Sequence, residues 1–385
     1  MEYKLEDLFT LQMGKTPSRN NPEYWDSPDQ KWISISDLSK CGKYISETKE
    51  YISDKAVEES GISLIPENTV IMSFKLSIGK VAITAQPMYS NEAIMSFRDK
   101  RVVELLPDYV YYLLLGHDWE QGTNKAVMGK TLNKATLSQI KVRIHPLETQ
   151  HSIVSTLDKL QSIITHRRQQ LAKLDELIKA RFVEMFGEPI LNEKGWNMVT
   201  IGDIVTEVKY GTSKPAVEGG KYPYLRMNNL TYDGHLDLTN LKMIDIPDSE
   251  IEKCIVHRGD VLFNRTNSIE LVGKTCVFDK DEDMVIAGYI IRVRLKSIML
   301  PIVLSYFMNT DALKKKLRNM AKGAVNQANI NAQEFKSINI YLPPIELQTQ
   351  FADFVKQVDK SKVAVQKALD EAQLLFDSLM QEYFG

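Results

Sequence analysis

Two stretches of the chain carry apolar residues at alternating spacings of three and four, without interruption. Neither residues 148–186 nor residues 346–384 contain glycine or proline, so each stretch predicts one long α-helix. Both stretches keep a seven-residue frame over five heptads, which is typical of a coiled-coil seam. A helix of ~40 residues is about 60 Å long and extends beyond a domain with a radius of gyration of about 15 Å. We therefore expect the two helices to pack on each other, rather than each on its own domain alone.

The predicted seam consists of two lines of residues on each helix. On the first helix the lines are Ile153, Leu160, Arg167, Leu174 and Arg181, with Leu157, Ile164, Leu171, Ile178 and Met185. On the second helix they are Phe351, Val358, Val365, Ala372 and Leu379, with Val355, Lys362, Leu369, Phe376 and Tyr383.

The sequence before each helix has a different pattern, with short β-branched and aromatic runs separated by glycine, proline and asparagine. Examples are KWISI, TVIMSF and KVAIT in the first half and DVLFN and YIIRVRL in the second. Helical patterns occur at residues 107–120 and 301–319. Each region therefore predicts a mixed domain with a small twisted sheet.

The two halves of the chain are related by an internal repeat. Residues 133–187 realign with residues 331–385 at a constant offset of 198, and upstream the landmarks LEDL and IGDI, or GKT and GTS, recur in the same order. A repeat of this kind indicates one structural unit used twice. We predict an α+β protein with a domain at 1–146, a helix at 147–190, a domain at 191–344 and a helix at 345–385.

The composition excludes several classes of protein but does not identify one. The chain has 385 residues, 43% of them hydrophobic, a formal net charge of −2 and three cysteines far apart in sequence. The cysteines form neither a CxxC zinc pattern nor a disulfide framework, and no apolar run reaches the ~18 residues that span a bilayer. We expect a cytoplasmic protein without membrane, metal or cofactor. The net charge neither requires nor forbids a nucleic-acid surface, because such a surface depends on local lysine and arginine.

The start of each long helix carries a further motif. HPLETQ at 145–150 and LPPIELQTQ at 342–350 each follow an isoleucine-containing strand, KVRI or SINIY. With the duplication, the heptads and the early turns GKTPS and GTSKP, these motifs resemble the Pro-Leu-x-Glu-Gln boundary of specificity subunits of Type I restriction-modification systems. The chain departs from the pattern at Thr149 and Leu347, and the resemblance covers essentially its whole length.

The resemblance implies a non-catalytic subunit with two target-recognition domains, held apart by the two helices as an antiparallel coiled coil. Such a subunit recognises a bipartite, asymmetric target in double-stranded DNA, because its two domains differ. It implies two modification subunits as partners, which methylate adenine with S-adenosylmethionine, and restriction subunits that use ATP and magnesium. The cofactors are expected on those partners.

Candidate DNA contacts are polar or cationic residues in loops, because base edges need planar or forked side chains and phosphates need lysine or arginine. The GAVNQANIN segment adds amides that can pair with adenine. The predicted DNA-binding residues are Lys15, Thr16, Arg19, Lys75, Lys130, Lys134, Lys214, Arg226, Arg265, Asn267, Lys322, Asn326 and Gln327.

Two alternatives stay open: an enzyme with an unrecognised nuclease or methyltransferase site, and a coiled-coil scaffold that does not bind DNA. Asn21-Pro22-Glu23-Tyr24 is similar to the adenine-methyltransferase signature, but Glu23 replaces its second proline. No glycine-rich strand-turn-helix precedes it for S-adenosylmethionine. Pro28-Asp29 with Glu47-Thr48-Lys49 matches a nuclease spacing, which arises freely in a chain with 25% charged residues. We predict no catalytic residues.

Overall fold

The structure is a computed structural model that describes residues 1–75, 77–119, 132–324 and 327–385, with the backbone alone at 322–324. The described chain forms two compact units. One contains residues 1–168 and 367–385, and the other contains residues 169–366. Each unit therefore combines a globular domain with part of both long helices.

The elements are numbered in chain order over the described ranges. The helices α1 to α12 are Leu5–Leu8, Ile35–Leu38, Asp54–Ser60, Pro107–Gly116, Lys134–Ser138, Leu147–Phe186, Ile201–Ile204, Asp248–Cys254, Pro301–Met308, Asp311–Met320, Ala332–Lys336 and Ile345–Phe384. The strands β1 to β12 are Glu2–Lys4, Phe9–Met13, Gln30–Ile33, Tyr44–Ile45, Glu50–Ile52, Val70–Ser73, Val81–Thr84, Tyr89–Ser90, Ile94–Asp99, Lys141–Arg143, Asn197–Thr200 and Val205–Tyr210. The strands β13 to β23 are Tyr222–Leu225, Lys242–Ile244, Ile255–Val256, Val261–Asn264, Thr266–Asn267, Thr275–Val277, Met284–Ile286, Ile290–Leu295, Lys322–Ala324, Gln327–Asn329 and Asn339–Leu342.

The first domain is built on two sheets. One has the strand order β2-β9-β6-β7-β4, and the other has the order β5-β3-β8. Strands β3 and β8 pair in parallel, as do β4 and β7, and the remaining pairs in these two sheets are antiparallel. Every residue of β6 and β7 is buried, as expected for strands covered on both faces, and α4 lies against them.

The second domain repeats this plan. Its two larger sheets have the orders β12-β20-β16-β18 and β14-β13-β19-β15, and β13 and β19 form a parallel pair like that of β3 and β8. A third sheet has the order β17-β22-β21. The α+β architecture in two repeats is thus confirmed, including the upstream part that realigns only loosely in sequence.

A short antiparallel pair closes each domain beside its long helix. In the first domain β1 pairs with β10, and in the second β11 pairs with β23. The short helices that precede β10 and β23 also match, since Asn133 caps α5 by accepting from the Thr136 amide and Asn331 caps α11 by accepting from the Glu334 amide. These two asparagines are 198 residues apart, which is the repeat offset of the sequence.

The long helices α6 and α12 pack together in antiparallel orientation. In the first unit the Arg168 guanidinium donates to Gln373 Oε1 at 3.2 Å. In the second unit Lys362 Nζ lies 2.5 Å from Asp175 Oδ1, and the rings of Phe182 and Phe351 are 5.5 Å apart. Residue numbers rise along one helix while those of their partners fall along the other, as the antiparallel coiled coil requires.

Most predicted seam residues are buried. They are Ile153, Leu157, Leu160, Ile164 and Ile178 on α6, and Phe351, Val355, Val358, Val365, Leu369 and Phe376 on α12. Phe182 and Phe186 are also fully buried although neither is on a predicted line. A straight α-helix drifts by about 20° per heptad against a seven-residue repeat, so the apolar face has moved at the end of α6.

The long helices also pack on the globular domains. In the first unit Tyr109 and Tyr112 of α4 contact Phe384 and Phe376 of α12. In the second unit Tyr306 of α9 contacts Phe182 and Phe351. Packing on a domain and packing on the other helix are therefore both present.

Candidate nucleic-acid interface

The first predicted contact turn, GKTPSR, follows β2. A Cβ atom at Gly14 would lie 2.2 Å from the Ser90 carbonyl oxygen, so only glycine lets the backbone pass this close. Lys15 donates to the Ser60 carbonyl oxygen and Thr16 donates to the Glu92 carboxylate. The turn is partly exposed, and the Lys15 and Thr16 side chains both have partners inside the domain.

The positive charge of Arg19, in the same turn, is balanced by the Glu50 carboxylate. Its guanidinium lies 2.5 Å from Glu50 Oε1 and 3.7 Å from the Trp25 ring centroid. Trp32 lies beneath, with its ring 5.0 Å from that of Trp25. Trp32 lies in β3 and Glu50 in β5, so these contacts hold Arg19 against the β5-β3-β8 sheet and give it a structural role.

The remaining described candidate DNA-binding residues of the first domain have weaker contacts with their neighbours. The Lys75 ammonium lies 5.2 Å from the Phe74 ring, at the end of β6. Lys134 begins α5 and is exposed. Lys130 lies outside the described residues.

The second domain brings three candidates to one concave surface, which we call the β12–β13 cleft. It has a volume of about 580 Å³ and is lined by residues 212–216, 226–228 and 287–289 with Tyr224 and Arg265. Lys214, Arg226 and Arg265 lie on its walls, together with Asn228 and Tyr289, which were not among the predicted contacts. The sequence signal that could have found Tyr289 is its place between the apolar runs of β19 and β20.

The three cationic residues of the β12–β13 cleft differ in their partners. Lys214 Nζ is 3.1 Å from Glu250 Oε1. Arg226 donates to the Asn240 carbonyl oxygen at 3.1 Å, and Arg265 donates to that of Gly288 at 3.3 Å. Within the described chain, neither arginine has an ion-pair partner, and the Nε atom of each is buried without a hydrogen bond. Their charge is available to a ligand.

Strand β17, which begins at the residue after Arg265, pairs with β22 of the GAVNQANIN segment. The Asn267 amide donates to Asn264 Oδ1 at 2.8 Å, so part of its hydrogen-bonding capacity is already used. Strand β17 pairs Asn267 with Ala328, next to Gln327, which is exposed. The Lys322 side chain and the whole of Asn326 lie outside the described part of the chain.

The boundary motif has a matched pair of residues whose role only the structure shows. Gln150 and Gln348 are both buried. Gln150 accepts from the Leu106 amide at 3.1 Å and donates to the carbonyl oxygen of His145 at 2.9 Å. Gln348 accepts from Leu300 at 2.8 Å and donates to Pro343 at 2.9 Å. Each glutamine ties the start of a long helix to the segment before α4 or α9.

Residues that are similar to catalytic signatures have structural partners. Pro22–Tyr24 is a 3₁₀ turn in which Asn21 accepts from the Glu23 amide at 3.2 Å. Glu23 pairs with Lys55, and the Tyr24 hydroxyl donates to Glu59 at 2.5 Å. Across the described ranges, no group of three or more histidine, cysteine, aspartate or glutamate side chains could hold a metal ion.

The fold and the β12–β13 cleft define a class of protein: an α+β domain repeated in tandem, each copy packed on part of an antiparallel helix pair, with a cationic concave surface in the second copy. A family model for the Type I restriction modification DNA specificity domain matches residues 1–176 and again residues 193–372. The chain belongs to this family.

Named relatives agree with that assignment. The chain is 28% identical over 252 residues to the Type I restriction enzyme MjaIX specificity subunit of Methanocaldococcus jannaschii, covering 59% of this chain and 57% of the relative. It is 25% identical over 266 residues to the EcoKI specificity subunit of Escherichia coli, covering 65% and 57%. The matches therefore span just over half the length of these relatives.

Solved structures show the same fold. The S subunit of a Type I restriction-modification system from M. genitalium has a TM-score of 0.54 at 13% identity, covering 100% of this chain and 96% of its own. A chain from a structure on complex assembly and conformational transition of the type I R-M system has a TM-score of 0.60 at 17% identity, covering 100% and 97%.

Among the residues with described structure, none of the helices has a stretch apolar and long enough to cross a bilayer.

Proposed function

We propose that this protein is the DNA sequence-specificity subunit of a Type I restriction-modification complex and recognises a bipartite, asymmetric target in duplex DNA. The observation that carries the proposal is the duplication of one domain with different loops at matching places. Two domains on one scaffold suit two half-sites, and their different loops suit an asymmetric target. The antiparallel helices suit half-sites in inverted orientation separated by a spacer.

The proposed DNA contacts are of two chemical kinds, contacts to phosphates and contacts to bases. Lys75, which is half-buried after β6, and Lys134, which is exposed at the start of α5, suit phosphate contacts that set position and orientation. Arg226 and Arg265 suit contacts to bases, because their guanidinium forks line a concave surface without carboxylate partners in the described chain. Lys15, Thr16 and Lys214 contribute once their present partners release them. Arg19 holds the GKTPSR turn in place and acts on DNA indirectly, through the position of that turn.

The chain contributes recognition, and the chemistry belongs to its partners. We propose two modification subunits that methylate adenine in each half-site with S-adenosylmethionine, and restriction subunits that use ATP and magnesium. The relatives named above are specificity subunits, which supports this division. The complex acts in the cytoplasm, where its DNA is.

The test is the pattern of N6-methyladenine in a cell that has the modification subunit, with and without this gene. We expect methylation in one split, asymmetric motif that disappears with the gene. With the modification subunit shown to be active, an unchanged methylome would contradict the proposal and favour a coiled-coil scaffold that does not bind DNA.

A further inference from the structure

Arg265 in the second domain matches Phe74 in the first. The Arg265 amide donates to the Tyr289 carbonyl oxygen at 2.9 Å, and the Phe74 amide donates to that of Ala93 at 3.0 Å. Both residues directly follow equivalent strands, β16 and β6. Phe74 is fully buried, so the first domain has an apolar side chain where the second has a guanidinium group.

Arg226 matches Ser34 in the same way. Arg226 follows β13, and its amide donates to Asn229 Oδ1 at 2.9 Å. Ser34 follows β3, and its amide donates to Asp37 Oδ2 at 2.9 Å. The Ser34 hydroxyl also donates to this carboxylate, at 2.7 Å. Both arginines of the β12–β13 cleft are therefore specific to the second domain.

Other arginines of the second domain are paired with carboxylates. Arg292 lies 2.5 Å from Glu207, Arg294 lies 3.0 Å from Asp260, and Arg258 lies 2.9 Å from Asp281. In the described chain, the side chains of Arg226 and Arg265 each donate one hydrogen bond, to a backbone carbonyl oxygen, and both line one cleft. The Arg265 guanidinium also lies 4.8 Å from the Tyr210 ring centroid, which leaves its charge without a carboxylate partner. Each therefore keeps several N–H donors for a ligand.

We infer that the β12–β13 cleft recognises guanine, with the guanidinium groups of Arg226 and Arg265 as its specificity-determining contacts. This inference rests on the proposed function. A guanidinium fork donates two hydrogen bonds to guanine O6 and N7, which no other base presents together in the major groove. The half-site of the second domain therefore contains guanine, and the first domain recognises its half-site without this pair of arginines.

Replacement by glutamine removes the two-donor fork that matches guanine and leaves one donor and one acceptor, the pattern that matches adenine. We would determine the methylated motif in cells with the modification subunit and either the native chain, Arg226→Gln or Arg265→Gln. Arg258→Gln, in an exposed ion pair of the same domain, is the matched control, because it removes the same charge outside the cleft. We expect each cleft variant to relax one guanine position by about 5- to 150-fold, and the control to leave the motif unchanged.

The outcomes separate this inference from the proposed function. A native motif whose second half-site lacks guanine, or an unchanged motif in both cleft variants, would overturn the inference and leave the subunit assignment intact. Methylation that never depends on this gene would instead remove the proposed function.

A second measurement tests the inference without variants, in case the variants methylate no DNA at all. The native complex is titrated with a synthetic duplex of its motif in which 7-deazaguanine, which lacks N7, replaces each guanine in turn. We expect about tenfold weaker binding at one or two guanines of the second half-site. Equal binding at every guanine of that half-site would overturn the inference.

Discussion

At the scale of single residues, the buried glutamines at the two helix boundaries have the clearest energetic role. Replacing Gln348 by alanine leaves the Leu300 amide and the Pro343 and Ile298 carbonyl oxygens without this partner. An unsatisfied buried group costs about 1–3 kcal/mol, so we expect Gln348→Ala to lower the free energy of unfolding by about 2–3 kcal/mol. Urea unfolding measures this directly.

The control for that prediction is Gln357→Ala on the exposed face of the same helix, which should change stability by less than about 0.5 kcal/mol. Gln150→Ala should have an effect similar to that of Gln348→Ala, because its contacts match. If the two buried sites behaved like Gln357, the hydrogen bonds at the boundary would contribute nothing.

Lys314 gives the protein a predictable dependence on pH. It is 5% exposed, lies 3.5 Å from the Tyr232 ring and donates to the Tyr232 carbonyl oxygen. Burial, and then the charge of Lys179, lower the pKa of Lys314 from 10.5 to about 8. Between these values the unfolded chain binds a proton that the folded chain does not. The free energy of unfolding therefore rises with pH across this window, and below it this group adds no slope.

The measurement is urea unfolding of the native chain and Lys314→Met at several pH values between about 7.5 and 9.5. We expect the slope to be smaller in the variant. Lys316→Met, exposed on the same helix, should keep the native slope. Equal slopes in all three proteins would show that Lys314 has an ordinary pKa.

At the scale of elements, one ion pair interrupts the apolar seam of the long helices. Lys362 lies on a predicted seam line and is 18% exposed. Its ammonium lies 2.5 Å from the Asp175 carboxylate and 3.7 Å from that of Asp359. Removing Asp175 leaves a mostly buried ammonium with Asp359 at 3.7 Å as its described partner, whereas replacing Lys362 by an apolar residue removes the desolvation cost of the charge. Asp175→Ala should therefore destabilise by about 1–2 kcal/mol, and Lys362→Leu should be neutral or stabilising.

Thermal unfolding of both variants tests this, with Lys367→Ala as the control. Lys367 and Glu371 form an exposed pair at 3.8 Å, which contributes at most about 0.5 kcal/mol. A loss in Lys362→Leu as large as that in Asp175→Ala would mean that the ion pair itself stabilises the seam.

At the scale of the whole molecule, the helices are proposed to set the spacing between half-sites. Inserting four residues, about one turn, in the middle of both α6 and α12 lengthens each helix by about 6 Å. We expect the unread spacer of the methylated motif to lengthen by about two base pairs, with both half-sites unchanged. The same insertion between Asp281 and Glu282, in an exposed turn, should leave the motif as it is. An unchanged spacer in the helix variant would contradict the proposed role of the helices.

The fold was predictable from sequence where the information is local or repeated. The long helices follow from a period set by helix geometry and from the absence of glycine and proline, and each begins within a boundary motif. The constant offset of 198 gave the tandem architecture. The buried face departs from the predicted seam at Phe182 and Phe186. The cause is the drift of the helix against the seven-residue repeat together with contact with the second domain at the end of α6.

The sequence by itself determined which residue types stand in loops and, except at the end of α6, which stripe each long helix buries, because both depend on near neighbours in the chain. Only the tertiary structure decided which cations are free. Arg19 meets Glu50 and Lys214 meets Glu250, whereas Arg226 and Arg265 reach one cleft without a carboxylate partner in the described chain. The physical reason is that a charge is neutralised by whatever the fold brings within about 4 Å, and residues tens of positions apart leave no periodic pattern in sequence.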